Sequence, residues 1–173
     1  LHNRTHSFPT RRSSDLTELA KTQGGTVMSI VRVLVTNNPQ LQAYCTSVQK
    51  ISGTSWDVFL EARNRVHQGW KLLTHPLYGN FLPSQQPYRS LLLQSPEGPG
   101  KTAEVDADSF SFIEEALGVF RSYENKGTLR KLGSHTPEIE ADYAVLDLRL
   151  LQQSLEQYGL WREAPFTESF SPV

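Results

Sequence analysis

The sequence predicts an α/β fold: a small three-layer domain with a mostly parallel sheet and two C-terminal amphipathic helices. Three observations predict it. Short β-branched runs alternate with segments of three-to-four apolar spacing through the first half of the chain, the pattern of strands joined by crossover helices. The first run is nearly continuous, as in a strand covered on both faces. Beyond residue 105, two long stretches keep helical spacing with no strand between them.

Ile30 to Val35 reads Ile-Val-Arg-Val-Leu-Val, broken only by Arg32, and is the first strand. It ends at Thr36-Asn37-Asn38-Pro39, where Asn38 can cap a helix and Pro39 suits its first turn, so a helix is expected over about 39 to 47. Val48 to Ile51 reads as a short second strand, unless the first helix runs through it. Thr54-Ser55-Trp56-Asp57 resembles a capping box opening a second helix, with Trp56, Phe59, Ala62 and Val66 on its buried face and Gly69 as its stop. Trp70 to Thr74 and Tyr88 to Gln94 read as strands separated by a proline-rich loop. Pro96 to Lys101 is a turn or mobile excursion. Helices are expected over about 107 to 124, on Phe110, Ile113, Leu117 and Phe120, and about 137 to 158, on Ile139, Tyr143, Leu146, Leu150 and Leu155. Trp161 and Phe166 can dock after Gly159.

The single methionine is Met28. His6 to Leu16 resembles the conceptual translation of a sequencing adapter, and Gln23-Gly24-Gly25 can be encoded by a ribosome-binding sequence placed before a Met28 start. Residues 1–27 are therefore read as a non-native extension, adapter and untranslated leader, and 28–173 as a single domain. The alternative is a native arm, but Asp15, Glu18 and the lack of an apolar stretch fit neither a transit nor a secretory signal.

The chain has 17 basic and 18 acidic residues. Without residues 1–27 it loses Arg4, Arg11, Arg12 and Lys21 but only Asp15 and Glu18, leaving a formal charge of −3. Such a balance gives no broad attraction to nucleic acid or to an anionic membrane. No apolar run is long enough to span a bilayer. One cysteine, Cys45, precludes an internal disulfide and suits a reducing cytosol, so the expected location is cytoplasmic.

On an open parallel sheet, ligands bind beyond the carboxyl ends of the strands. That rule puts Thr36, Asn37 and Asn38 on one rim with Thr74 and His75. The segment from His67 to Asn80, closed by Tyr88 and Arg89, gathers His67, Lys71, His75 and Arg89, with no Asp or Glu between Arg65 and Gln94. A cationic patch on a slightly acidic protein is not a by-product of composition. The candidate ligand-binding residues are Thr36, Asn37, Asn38, His67, Lys71, Thr74, His75, Asn80, Tyr88 and Arg89, with Arg89 supplying a forked donor set for a carboxylate or phosphate. The bland alternative leaves His67 at a helix end, Lys71 solvated and His75 tying down the loop. No catalytic residue is assigned. The histidine spacing matches no metal site, and Thr36-Asn37-Asn38-Pro39 lacks the glycines of a nucleotide fingerprint, so neither metal nor cofactor is expected. Cys45 could be a nucleophile, although a small buried apolar role is commoner.

The combination Val-Leu-Val-Thr-Asn-Asn-Pro, then His67-x-Gly69-x-x-Leu-Leu-Thr-His75-Pro-Leu-x-Gly79, then Pro83-x-x-x-Pro87-Tyr88-Arg89-Ser90 resembles the GrdX family. The resemblance runs from Met28 to about Leu155. It implies a small protein encoded beside the glycine reductase complex of anaerobic, amino-acid-fermenting bacteria, hence an accessory role in a glycine, sarcosine or betaine reductase system. Asn80 and Leu82 stand where the family's Gly-Ser-x-Lys-Pro pattern has serine and lysine, which removes the loop cation. The implied partners are glycine reductase components. A small-molecule enzyme or sensor using the His75/Arg89 rim, with a small anionic ligand, is the alternative, and a purely structural subunit a third.

Overall fold

The computed structural model describes residues 30–96 and 104–163. Its strands are β1 (Arg32–Thr36), β2 (Val48–Lys50), β3 (Lys71–Leu72) and β4 (Ser90–Gln94); its helices are α1 (Leu41–Tyr44), α2 (Ser55–His67), α3 (Ala107–Asn125) and α4 (Pro137–Gln157). The reading of residues 1–27 as an extension lies outside the described residues, as do Phe166 and most of the Pro96 to Lys101 turn.

Side-chain alternation along the central strands builds the three layers. Val35, Leu91 and Leu93 enter a core with Phe59, Ala62, Ile113 and Phe120 of α2 and α3. Leu34 and Leu92, one residue out of phase, enter a second core with Leu41, Leu148, Leu151 and Leu155 of α1 and α4. Leu34, Val35 and Leu91 to Leu93 have no exposed surface, which at about 1.5–3 kcal/mol for each fully buried aliphatic side chain makes β1 and β4 the main apolar anchor of the fold.

The expectation of a mostly parallel sheet is corrected. The strand order is β2-β1-β4-β3, and only β1 with β2 is parallel; β1 with β4 and β3 with β4 are antiparallel. Three strands, β1, β2 and β3, do run in one direction, since α2 carries the chain back across the sheet as a crossover helix must. Residues 73–89, however, contain no returning helix beyond a 3-10 turn at Tyr78–Asn80. The next strand therefore starts at the end where β3 finishes, and it inserts between β1 and β3. One opposed strand in the middle separates neighbours that would otherwise pair in parallel.

Helix faces also differ from the expected ones. On α4 the buried residues are Ala144, Asp147, Leu148, Leu151 and Leu155, while Ile139 and Leu150 are exposed. Two stripes of three-to-four spacing coexist on this helix, and the one containing Leu148 and Leu151 seats against Leu34 and Leu92. On α3, Phe110 is exposed and Ala116 replaces it in the core. Trp56 of α2 is only partly buried against its core. Helix α1 is shorter than expected because Cys45 turns extended and forms an isolated bridge with Trp161. Trp161 also stacks on Tyr44 at 5.2 Å. Gly69 ends α2 at φ 84°, a left-handed conformation that favours glycine.

Candidate functional site

Because β4 opposes β1 and β3, it starts at the end of the sheet where they finish. Thr36 of β1 is paired with Ser90 of β4, and β3 is continued past its end by Thr74, whose Oγ1 accepts the Leu92 N–H at 3.0 Å. Thr36 to Asn38, Arg89 and the loop after β3 thus share one end of the sheet. Asn37 fastens that end. Its Oδ1 accepts the Arg89 N–H at 2.8 Å, and its Nδ2 donates to the carbonyls of Pro87 at 2.9 Å and Gly53 at 3.2 Å. One side-chain amide thereby holds the entry to β4 beside the start of α2.

The same alternation that sorts the core sorts these polar groups between the two faces. On the α4 face lie Thr36, Asn38, Ser90 and Asp147, none with exposed surface. Ser90 Oγ is 2.7 Å from Asp147 Oδ2 and 2.5 Å from Thr36 Oγ1. An ionised carboxylate only accepts and a hydroxyl has one hydrogen, so the direction is set: Thr36 donates to Ser90 and Ser90 to Asp147. Thr36 Oγ1 in turn accepts the Asn38 N–H at 2.9 Å. Asn38 Nδ2 donates to Asp147 Oδ2 at 3.0 Å and to the Ala144 carbonyl at 2.8 Å, while its Oδ1 accepts the Gln40 N–H. Asp147 Oδ1 receives the Tyr78 hydroxyl. Burial raises the Asp147 pKa, opposed by the bonds from Tyr78, Asn38 and Ser90 and by the Arg89 charge. Burial, and then the neighbouring Asp147 carboxylate, hold the Tyr78 phenol well above its ordinary range. The proton between them belongs to the tyrosine.

On the α2/α3 face lies Arg89, 1% exposed and the largest of the fully buried side chains. Its Cζ is 4.8 Å from the centre of the Tyr78 ring and 5.7 Å from that of Phe120, cation–π contacts that partly replace lost hydration. Nη1 donates to the Tyr78 carbonyl at 3.0 Å. Nε is buried without a partner. Tyr78 packs against both cores and so connects the buried cation to the buried anion around the end of β4.

The other predicted residues do not converge with these. His67 is exposed at the end of α2, its ring 5.5 Å from that of Phe110. Lys71 is exposed and pairs with Asp106 at 3.5 Å. Asp106 also accepts the Ser109 N–H to cap α3, and its pKa is lowered mainly by its bonds from Ser109. His75 is exposed; its Nδ1 accepts the Leu77 N–H at 3.1 Å and its ring rests 5.0 Å from Phe112. Arg89 and His75 thus touch α3 eight residues apart, about 12 Å along its axis. Asn80 is exposed at φ 52°. Tyr88 is buried, and burial followed by the charges of Glu140 and Asp147 raises its pKa.

Four residues at this end escaped the sequence reading: Tyr78, Gln86, Ser90 and Asp147. Asp147 had a detectable signal, since it is a lone carboxylate within the apolar stripe Ala144, Leu148, Leu151 and Leu155. Tyr78 and Ser90 stand inside the segments that carry the family resemblance. Among the described residues, no cluster of three or more His, Cys, Asp or Glu could hold a metal ion, and no helix is long and apolar enough to cross a membrane.

Fold and site together define a three-layer α/β domain whose sheet end is closed by a buried, oppositely charged polar cluster. The sequence model of the GrdX-like protein family matches residues 33–156, from β1 to the last turn of α4, and the chain belongs to that family. No curated protein and no solved structure matches it.

Proposed function

We propose that the chain is a cytoplasmic accessory protein of a glycine, sarcosine or betaine reductase system, acting by binding rather than by turnover. The reductase neighbourhood is what family membership implies. The observation that favours binding is the state of Asp147, the one carboxylate buried at the sheet end. Asp147 has no exposed surface and both of its oxygens already accept hydrogen bonds, from Tyr78, Asn38 and Ser90, so it is sealed from a substrate, whereas a general base must reach the proton it removes. Such a cluster locks α4 onto the strand ends and presents a defined outer surface. Deleting the gene in a glycine-fermenting host tests the reading: glycine-dependent growth and reductase activity in extracts should fall and return on complementation. Unchanged growth and activity would remove the accessory role, and turnover by the purified chain alone would remove the binding-only part.

A second reading, an anionic-ligand-binding protein, is supported by a different observation, the unpartnered Nε of fully buried Arg89. His75, exposed against Phe112, stands apart from it.

A further inference from the structure

Away from the sheet end, two clefts in the surface carry adjacent cations, and they differ in what neutralises them. One, of about 620 Å³ along α2, is lined by Arg63 and Arg65. Both are already paired, with Glu114 and Glu61, and Glu61 lines the same cleft. The other, of about 520 Å³, is lined by Arg130 and Lys131 with Ser84, Thr128, Leu129 and Ser134, and no carboxylate lies on its wall. Among the described residues neither Arg130 nor Lys131 forms an ion pair. The chain as a whole has a formal charge of −1, so composition does not supply this positive cavity.

Local structure holds it open. Past the end of α3 the chain turns at Gly127, whose φ of 65° is left-handed, and Leu129, 4% exposed, drops into the α2/α3 core. That anchor fixes the next residue. The Arg130 N–H donates to the Pro83 carbonyl at 3.1 Å and its Nε to the Ser84 carbonyl at 2.9 Å, so the half-buried guanidinium is tied to the facing turn by one nitrogen. Its two Nη groups make no hydrogen bond among the described residues. On the far side the Ser134 hydroxyl donates to the Lys131 carbonyl at 2.6 Å and closes the loop that carries the ammonium. The acids at the start of α4 are turned to other work: Glu140 accepts the Gly133 and His135 N–H groups, and the Glu138 carboxyl is held below its ordinary range by its own backbone N–H and the Thr136 hydroxyl.

We infer that this cavity, between the Pro83–Ser84 turn and the α3–α4 connection, binds the phosphoryl group of a small phosphorylated molecule, a function beyond both readings above. Two unmatched positive charges call for a doubly charged oxyanion, which a single carboxylate is not. A guanidinium edge meets two phosphate oxygens at once and an ammonium acts as a point charge beside them. The Ser84 and Thr128 hydroxyls on the same wall have hydrogens for the remaining oxygens. Size sets the rest of the ligand. The cavity falls within the range of small-molecule sites, roughly 300–1,000 Å³, and a bare phosphate would leave most of it empty.

Titration of the full chain at about pH 7.5, where a phosphomonoester is mostly doubly charged, tests the assignment. The probes are glycerol 2-phosphate, inorganic phosphate and acetate, at ionic strength held constant with chloride. Glycerol 2-phosphate should shift the Arg130 Nε–H resonance and the Lys131 and Ser134 amide resonances saturably, inorganic phosphate should bind more weakly, and acetate more weakly still. Lys131→Gln, at an exposed position, should fold as the wild type does and lose about tenfold or more in affinity for glycerol 2-phosphate, the loss of one charge-assisted hydrogen bond. Arg130→Met should abolish the response. Because Arg130 also holds the Pro83–Ser84 turn, Lys131→Gln combined with Ser84→Ala decides if that variant fails to fold. No saturable shift in the wild type, equal affinity in Lys131→Gln, or acetate bound as tightly as glycerol 2-phosphate overturns the proposal. Inorganic phosphate bound as tightly as the ester overturns it as well, since the body of the cavity would then take no part. Binding by the purified chain is measured without any reductase, so this proposal and the accessory role fail separately.

Discussion

Tyr78 touches both buried charges at the sheet end: its hydroxyl donates to Asp147 Oδ1 and its carbonyl accepts Nη1 of Arg89. The same hydroxyl oxygen accepts the Ser90 N–H at 3.0 Å, so it completes the backbone bonding of β4 where the ladder runs out. Removing that oxygen leaves two buried groups unpaired. Tyr78→Phe should therefore cost about 1–3 kcal/mol, the penalty for unsatisfied buried polar groups, although the ring and its contact with Arg89 remain. Urea unfolding of Tyr78→Phe, Ser90→Ala and the double variant checks this. The two effects should be strongly non-additive, because both changes strip donors from the same carboxylate.

Asp147 should impose a pH dependence of defined sign. Its folded-state pKa is raised by burial, so the native state holds the proton more tightly than the unfolded chain does. Its contribution is most favourable below the ordinary carboxylate pKa and declines as the pH rises through the raised folded value, above which the cost is constant. Asp106 and Glu138 have lowered values and slope the other way, so the informative quantity is the difference between wild type and Asp147→Asn. That difference should shift against the wild type as the pH rises through the window above the ordinary carboxylate pKa. Asp147→Ala, which strands the donors of Tyr78, Asn38 and Ser90, should cost about 3–5 kcal/mol. A pH-independent difference would show that Asp147 does not titrate in that window.

The direction of three strands, the existence of all four helices and the sharing of one rim by Thr36 and Thr74 were legible because period, caps and crossovers are local signals. The insertion of β4 was not. Strand order depends on where a chain re-enters the sheet, and the loop from Leu73 to Arg89 carries no periodicity that reports its direction. The candidate site was legible by residue type at Asn37 and Arg89 but not by environment: a guanidinium read as a forked donor on the ligand-binding rim is sealed against Phe120 and Tyr78. Its counter-charge comes from Asp147 of α4, more than fifty residues away in sequence, where a lone Asp on an apolar stripe signals an unusual position but not the partner it meets.

Cys45 should behave as a packing residue. It is 3% exposed in the core beneath α4, and burial raises its thiol pKa against weaker opposing contacts from Ser47 and Arg162. A protonated, covered thiol is a poor nucleophile. Alkylation of the native protein by iodoacetamide at neutral pH should be much slower than in urea, where the thiol is released. Equal rates would indicate that the Trp161 segment does not stay docked over it.

Two glycines should respond oppositely to the same change. Gly79, in the loop that carries Tyr78, has φ 77°, and a Cβ there would lie 2.8 Å from the Phe81 ring and 3.0 Å from Leu150 Cδ1. Gly79→Ala thus combines a left-handed backbone with close contacts, one of them to α4, and should destabilise by more than about 1 kcal/mol. Gly118 is in the interior of α3, on an exposed face, and a Cβ there meets nothing within 4 Å. Gly118→Ala gains helix propensity and restricts the unfolded chain, so it should stabilise by about 0.5–1 kcal/mol. Melting temperatures of the two variants, measured beside the wild type, should fall on either side of it. Because the Gly79 turn fixes where Tyr78 meets Asp147 and Arg89, Gly79→Ala should also weaken the wild-type pH dependence assigned to Asp147, while Gly118→Ala leaves that dependence intact. A Gly79→Ala protein as stable as the wild type, with the pH dependence unchanged, would mean that the loop positions Tyr78 without needing the left-handed residue.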